Sequence, residues 1–273
     1  MSRNAKEQAL LERFAGYYSY AAQPALTEIE RAVCGCDYGG TSWTTRDEAN
    51  RLAEMLALGP GRQLLDIGAG AGWPALYLAR ITGCDATLLD VPLEGLAHAS
   101  RRAASDNLDR SCRCVAADAI ALPFKDSTFH ALGHSDVLCC LEAKHEVLNE
   151  CRRVIRDEGR MVFTVISIAP GLSSEAYARA VEAGPPFKET TEAYTDLLRR
   201  SAWTLISRID LTGAYGASLH AMLREEEARL DRLADIFDEA ELAERMAQRR
   251  KATQAVDDGL LRRELFQVAP SNG

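Results

Sequence analysis

Apolar positions recur along this chain with two periods, and the changes of period mark its elements. Between residues 5 and 34, Leu10, Phe14, Tyr17 and Ala21 stand at helical spacing until Pro24 interrupts them, and a second short helix is expected from Ala25. A loop dense in glycine and hydroxyl groups, Cys36 to Thr45, leads into a helix from about Arg46 to Leu58, which Gly59-Pro60-Gly61 closes. From Gln63 to Ile168 short apolar runs alternate regularly with helical patterns, which predicts a parallel sheet covered by helices on both faces. After Pro170 two helices are expected, Ser173 to Gly184 and Thr191 to Ser201, parted by Gly184-Pro185-Pro186. Trp203 to Ile209 and Arg263 to Val268 read as the sixth and seventh strands. Between those strands Leu219, Met222, Leu223, Leu230, Leu233, Ala234 and Phe237 keep a helical period, with Glu225-Glu226-Glu227 on the opposite face. Such a stripe packs on the body of a protein, and part of it can close a pocket or a dimer equally well.

The expected fold is therefore α/β: a Rossmann-like, seven-stranded, mostly parallel sheet with helices on both faces, plus helical cover segments. At 273 residues the chain suits one α/β domain with insertions. Within 1–273 it divides into an amino-terminal helical cap (1–62), a central core (63–168) and a carboxyl-terminal half (169–273) holding the helical insertion and the last two strands. No internal repeat or long linker marks off a second foldable unit.

Composition narrows the function. Forty acidic against 32 basic side chains leave a net charge of −8, which repels a phosphate backbone and argues against a nucleic-acid partner. The longest apolar stretch, Met161 to Leu172, is broken by Thr164, Ser167, Pro170 and Gly171 and is too short to span a bilayer. The start, Met1-Ser2-Arg3-Asn4-Ala5-Lys6-Glu7-Gln8, carries charge at once and leads into an amphipathic helix, unlike the apolar core of a signal peptide. A cytoplasmic location with no membrane partner is the expectation. The eight cysteines are then read as reduced thiols, mostly buried. Cys112 and Cys114 share a face of the third strand as small core residues, and no Cys-x-x-Cys or His spacing completes a metal site.

The densest chemical signal is Leu64-Leu65-Asp66-Ile67-Gly68-Ala69-Gly70-Ala71-Gly72-Trp73-Pro74, an apolar strand joined to a helix by a glycine-rich turn. Glycine there opens backbone conformations closed to other residues and removes the Cβ atoms that would collide with an approaching ligand. The spacing is G-x-G-x-G, and Trp73 stands where the third glycine of the dinucleotide fingerprint G-x-G-x-x-G would fall, which argues against NAD. A second strand, Thr87-Leu88-Leu89-Asp90, ends in a carboxylate placed to accept from ribose hydroxyls. A third, Cys114 to Ala117, ends in Asp118-Ala119, where a carboxylate can accept from an adenine amino group.

These blocks, followed by Leu122-Pro123-Phe124, Asp126-Ser127-Thr128-Phe129 and His134-Ser135-Asp136-Val137-Leu138, resemble the class I S-adenosylmethionine-dependent methyltransferases, in particular their small-molecule, type 11-like branch. The stretch Glu150 to Phe163 looks like that family's helix, turn and fifth strand. The resemblance covers about residues 45 to 168, in order, and implies S-adenosyl-L-methionine as cofactor and a small-molecule methyl acceptor as partner. It implies that Asp66, Gly68, Ala69, Gly70 and Gly72 hold the methionine end, Asp90 and Val91 the ribose, and Asp118 and Ala119 the adenine, with Ser135 and Asp136 beside the sulfonium. His130 and Cys140 stand where many relatives have Asp and His, so no catalytic role carries over to those two positions.

Methyl transfer is an in-line displacement, in which positioning supplies much of the rate. Tyr17, Tyr18, Tyr20, Tyr38 and Trp43 cluster ahead of the glycine turn and have the composition of a pocket wall around a cation. If the acceptor must lose a proton, His134, Asp136 and His145 are the candidates, since they occupy or follow the exit of the fourth strand. Two other readings stay open: a non-catalytic S-adenosylmethionine-binding module or sensor, and thiol-dependent methylation of arsenite by way of Cys34, Cys36, Cys139 and Cys140. A homodimer is the oligomer the apolar stripe suggests.

Overall fold

The computed structural model describes residues 4–271; Met1-Ser2-Arg3, part of the charged start, lie outside the described residues, as do the last two positions. Seven strands form one sheet in the order β3-β2-β1-β4-β5-β7-β6. They are β1 (Gln63–Ile67), β2 (Asp85–Asp90), β3 (Cys112–Ala116), β4 (Phe129–Ser135), β5 (Ile155–Ile168), β6 (Trp203–Asp210) and β7 (Leu261–Pro270). The first five pair in parallel, while β7 inserts antiparallel between β5 and β6. The mostly parallel, seven-stranded sheet read from the alternation is therefore the one observed.

Alternation along each strand divides the core. Leu65, Ile67 and Leu89 pack into one apolar cluster, while their neighbours Leu64, Ala86 and Leu88 pack into another on the opposite face. Cys112 and Cys114 join the second cluster, as small core residues do.

The amino-terminal helices form where local signals put them. Helix α1 (Ala5–Ser19) starts from an Asn4 and Glu7 capping box, and α2 (Pro24–Cys34) carries Pro24 at its first turn and ends on left-handed Gly35. The box of Thr45 and Glu48 starts α3 (Arg46–Met55). Further on come α4 (Ala75–Thr82), α5 (Leu93–Ser105) and α6 (Lys144–Val154), then α7 (Ser174–Glu182) and α8 (Tyr194–Arg200).

Three features depart from the sequence reading. The alternation is not regular, because β3 and β4 are joined by the irregular segment 117–128 with no helix. The turn expected between α6 and the fifth strand is an irregularity inside β5, where the register passes from Phe129 opposite Ile155 to Ala131 opposite Arg160. The long apolar stripe is broken into α9 (Thr212–Glu227) and α10 (Leu230–Ala234), and a further helix, α11 (Glu239–Asp257), follows from an Asp238 and Glu241 capping box. The apolar residues of α11 are spread around its axis, so periodicity does not disclose it. Ala25 and Ile29 of α2 pack with Leu233 and Phe237, joining the amino-terminal cap to the insertion before β7.

Candidate active site

A cavity of about 740 Å³ opens at the carboxyl ends of β1, β2 and β4 and beside the segment that follows β3. Crevices at this end of a parallel sheet are where α/β folds bind ligands. Its floor includes Asp66, Gly68, Ala69, Gly70, Asp90, Val91, Asp118, Ala119, Ser135 and Asp136; its walls come from α1, α2, the 39–43 loop and α11.

The turn after β1 is fixed to β2: the amides of Gly68 and Ala69 donate to the Leu89 carbonyl at 2.8 and 3.1 Å, and the Gly70 amide donates to Asp90 Oδ2 at 2.7 Å. Gly70 has φ +51°, and a Cβ there would stand 2.4 Å from the Tyr18 hydroxyl, so only glycine fits beneath α1. Gly72 differs from Gly68 and Gly70: it does not line the cavity, and its missing Cβ makes room for Leu76 and Ala99 of the packed helices.

The floor holds three carboxylates of different character. Asp66 is buried, and its Oδ2 has no hydrogen-bond partner among the described residues; burial, with Asp90 nearby, pushes its carboxyl well above the usual carboxylate range. Asp90 also receives the Val91 amide on Oδ1 at 2.7 Å, and burial raises its pKa to about 6. Asp118 accepts from the Ile120 amide at 3.2 Å.

The catalytic candidates separate. His134 is 3% exposed in the middle of the sheet, stacked on Phe163 with ring centroids 4.7 Å apart. Neither of its ring nitrogens has a partner among the described residues, and burial depresses its pKa to about 3. It does not line the cavity, nor does His145, which meets Ser201 Oγ at 2.9 Å. Asp136 does line the cavity, but both its oxygens accept from Arg263 Nε, at 3.0 and 3.2 Å. His130 takes the Gln63 amide on Nδ1 at 3.0 Å, a bond that fastens β4 to the start of β1.

The aromatic candidates separate as well. Tyr17, Tyr18 and Trp43 line the cavity. Tyr20 instead packs edge-on against Phe237 at 5.1 Å, and Tyr38 lies against Trp73 at 5.3 Å beneath the Arg102 guanidinium, both outside the lining.

Sequence reasoning missed the buried ion cluster behind the floor. Arg263 of β7, with 0% of its side chain exposed, binds Asp136 through Nε and Glu48 through Nη1, and reaches Thr164 Oγ1 with Nη2 at 3.3 Å. Thr44 donates from Oγ1 to Ser135 Oγ at 3.0 Å, so one network ties the 39–45 loop, α3, β4, β5 and β7 together. In Leu261 to Val268 four of eight residues are polar and Arg262 stands beside Arg263, so nothing local marks Arg263 for burial, and its partners Glu48 and Asp136 lie far off in the sequence.

Residues 65–163 match the family model described as "Methyltransferase domain". This segment, about a third of the chain, resembles a methyltransferase domain. Methyltransferase GfsG of Streptomyces halstedii is 31% identical over 128 residues, 47% of this chain and 46% of that protein. The chain thus spans about half the length of the first curated relatives it matches. Geranyl diphosphate C-methyltransferase from Streptomyces coelicolor, solved with S-adenosyl-L-homocysteine, superposes with a TM-score of 0.73 at 14% identity, covering 98% of this chain and 100% of that one. The [4+2]-cyclase SpnF superposes with a TM-score of 0.72 at 20% identity over 94% of this chain and 95% of its own. At such identities the likeness is one of fold, and the reaction of this chain must be argued from its own residues.

Proposed function

We propose that this chain is an S-adenosylmethionine-dependent methyltransferase acting on a small-molecule acceptor. The observation that carries the reading is the convergence of the Gly68-Ala69-Gly70 turn, Asp90, Asp118 and Ala119 on one cavity, in which the buried Asp66 Oδ2 has no partner among the described residues. An unpartnered buried carboxylate oxygen is costly unless a ligand supplies a donor, and the ammonium of a methionine moiety is such a donor. In this reading Asp66 and the Gly68 to Gly70 turn hold the methionine end, and Gly72 supports the turn from behind. Asp90 accepts from the ribose hydroxyls beside Val91, and Asp118 with the Ala119 amide meets the adenine edge.

When bound, the cofactor supplies a methyl group on a positively charged sulfonium. The chain's own part is positional: Ser135 and Asp136 border the methyl-bearing side, and Tyr17, Tyr18 and Trp43 wall the acceptor and exclude water. We assign Asp136, locked on Arg263, to organising that border. His134 and His145 are given no proton-transfer role. Against the arsenite reading, no group of three His, Cys, Asp or Glu side chains is gathered to hold a metal among the described residues. Cys139 is turned to the Asp136 carbonyl and Cys36 to the Glu30 carboxylate.

No helix among the described residues is long and apolar enough to cross a membrane. All eight cysteines are free thiols, which suits a reducing compartment, and we place the protein in the cytoplasm as one domain. The apolar stripe on which a homodimer was expected is largely packed inside the chain, with Leu219, Leu233 and Phe237 buried; sedimentation velocity decides the oligomeric state.

Calorimetry with S-adenosylmethionine, S-adenosylhomocysteine and NAD tests the central reading, followed by incubation of the protein with methyl-labelled cofactor and a metabolite extract. Binding of both adenosyl ligands but not NAD, with label appearing in a small molecule, is expected. NAD binding in their place overturns the reading, and adenosyl binding with no transfer favours a sensor.

A further inference from the structure

On the Asp136 side of the cavity, two side chains converge on one indole. The Trp43 ring meets Tyr215 edge-on at 5.2 Å, and the Arg249 guanidinium carbon lies 5.0 Å from the Trp43 centroid. All three line the cavity. Arg249 comes from α11 and Tyr215 from α9, so neither belongs to the methyltransferase domain's matched segment.

Charge at this end comes from two buried clusters. Glu226, with 0% of its side chain exposed, pairs with both Arg245, at 2.8 Å, and Arg249, at 3.1 Å. Two guanidiniums on one carboxylate leave one positive charge, while Arg263 shared by Asp136 and Glu48 leaves one negative charge, and Asp136 acts on Tyr215. Of the other charged groups lining this end, Lys251 pairs with Glu182 at 2.9 Å, and Arg13 and Glu244 are exposed. Glu30 is turned to the amides of Gly39 and Gly40, and burial raises its pKa.

Donors are also left over. Arg249 spends Nε and Nη2 on Glu226, while its Nη1 bonds no group among the described residues. Tyr215 is 2% exposed, and its hydroxyl has no hydrogen bond among the described residues. Burial raises its pKa, so it stays a donor. Around them the walls are apolar: Leu10, Phe14, Leu26, Ile29 and Met222.

We propose that Arg249 and Tyr215 hold the carboxylate of an otherwise apolar acceptor, and so set the substrate class of the methyl transfer inferred above. The unspent Nη1 of Arg249 and the Tyr215 hydroxyl, both brought to the Trp43 ring, are the donors a carboxylate takes. The apolar walls take the rest of the molecule.

The test compares octanoate with 1-octanol as probes, by calorimetry at pH 8, with and without S-adenosylhomocysteine. Octanoate should bind at least about tenfold more tightly than octanol, the scale of one charge-assisted hydrogen bond. Arg249→Gln should remove that preference, and Tyr215→Phe should cut octanoate affinity by about threefold, each lowering octanol affinity less than octanoate affinity and leaving S-adenosylhomocysteine affinity unchanged. Glu226→Gln releases a second positive charge and should tighten octanoate, a gain that misfolding cannot imitate. Equal affinity for the two probes, binding of neither, or an unchanged preference in Arg249→Gln overturns the proposal. Failure of S-adenosylhomocysteine to bind while the octanoate preference persists would overturn the methyltransferase reading alone.

Discussion

Asp90 and His134 show how burial assigns different work to groups that look alike in a linear chain. Asp90 has its pKa raised from 3.8 to about 6, so the stability it contributes is full below about pH 3.8 and lost as the pH rises through about 6. The ionised form is the better acceptor for ribose hydroxyls, so S-adenosylhomocysteine affinity should fall as the pH drops below 6, and Asp90→Asn should flatten that profile. Asp90→Ala should weaken the ligand by about 1–3 kcal/mol, the cost of hydrogen bonds to a charged acceptor; calorimetry on the folded variant checks both. His134 moves the other way, from 6.5 to about 3, so its neutral form is favoured and stability is lost as the pH falls from 6.5 toward 3. His134→Phe should keep S-adenosylhomocysteine affinity and gain on the order of 2 kcal/mol relative to wild type between pH 6.5 and pH 5. Urea denaturation at the two pH values measures this. A wild-type pH slope in the variant would mean that another group titrates there.

At the scale of elements, the site depends on β7 as much as on the glycine turn. Arg263 brings Glu48 of α3 and Asp136 after β4 onto one guanidinium. Removing one member of a buried ion cluster leaves charge uncompensated, so Arg263→Met should destabilise by about 3–5 kcal/mol in urea denaturation. Arg263→Lys, which keeps charge but not the fork, should recover only part of that loss. Variants as stable as wild type would show that the cluster is not a structural tie. The resemblance ends near residue 168, yet β7 pairs with β5 along Met161 to Ile168 and completes the pocket from behind.

For the whole molecule, the floor and the walls of the cavity are contributed by different parts of the chain. The floor comes from 66–136 and the walls from α1, α2, the 39–43 loop and α11. Covers of this kind complete sites when a ligand arrives. Hydrogen exchange should show α1, the 39–43 loop and α11 gaining protection when S-adenosylhomocysteine is added, while β1, β4 and β5 are protected throughout. High, equal protection of the cover in both states would indicate a rigid, preformed pocket.

The sheet, its strands and the cofactor turn were legible in the chain because each rests on local rules: period, capping, and glycine where the backbone must bend. Asp66, Asp90 and Asp118 could be placed at strand ends for the same reason. What local pattern does not contain is which distant side chains meet. Tyr18 of α1 and Tyr38 of the following loop both belong to the aromatic group ahead of the glycine turn, yet one lies over Gly70 and the other against Trp73, because tertiary packing decides where each ring goes. His134 and Asp136 stand two residues apart, and the backbone turn at Asp136, with φ +56°, separates a core ring from a cavity carboxylate. Arg263 and Arg249 were silent in the sequence because a charge acquires its meaning from burial and partners, here Glu48, Asp136 and Glu226, which only the folded chain brings within reach.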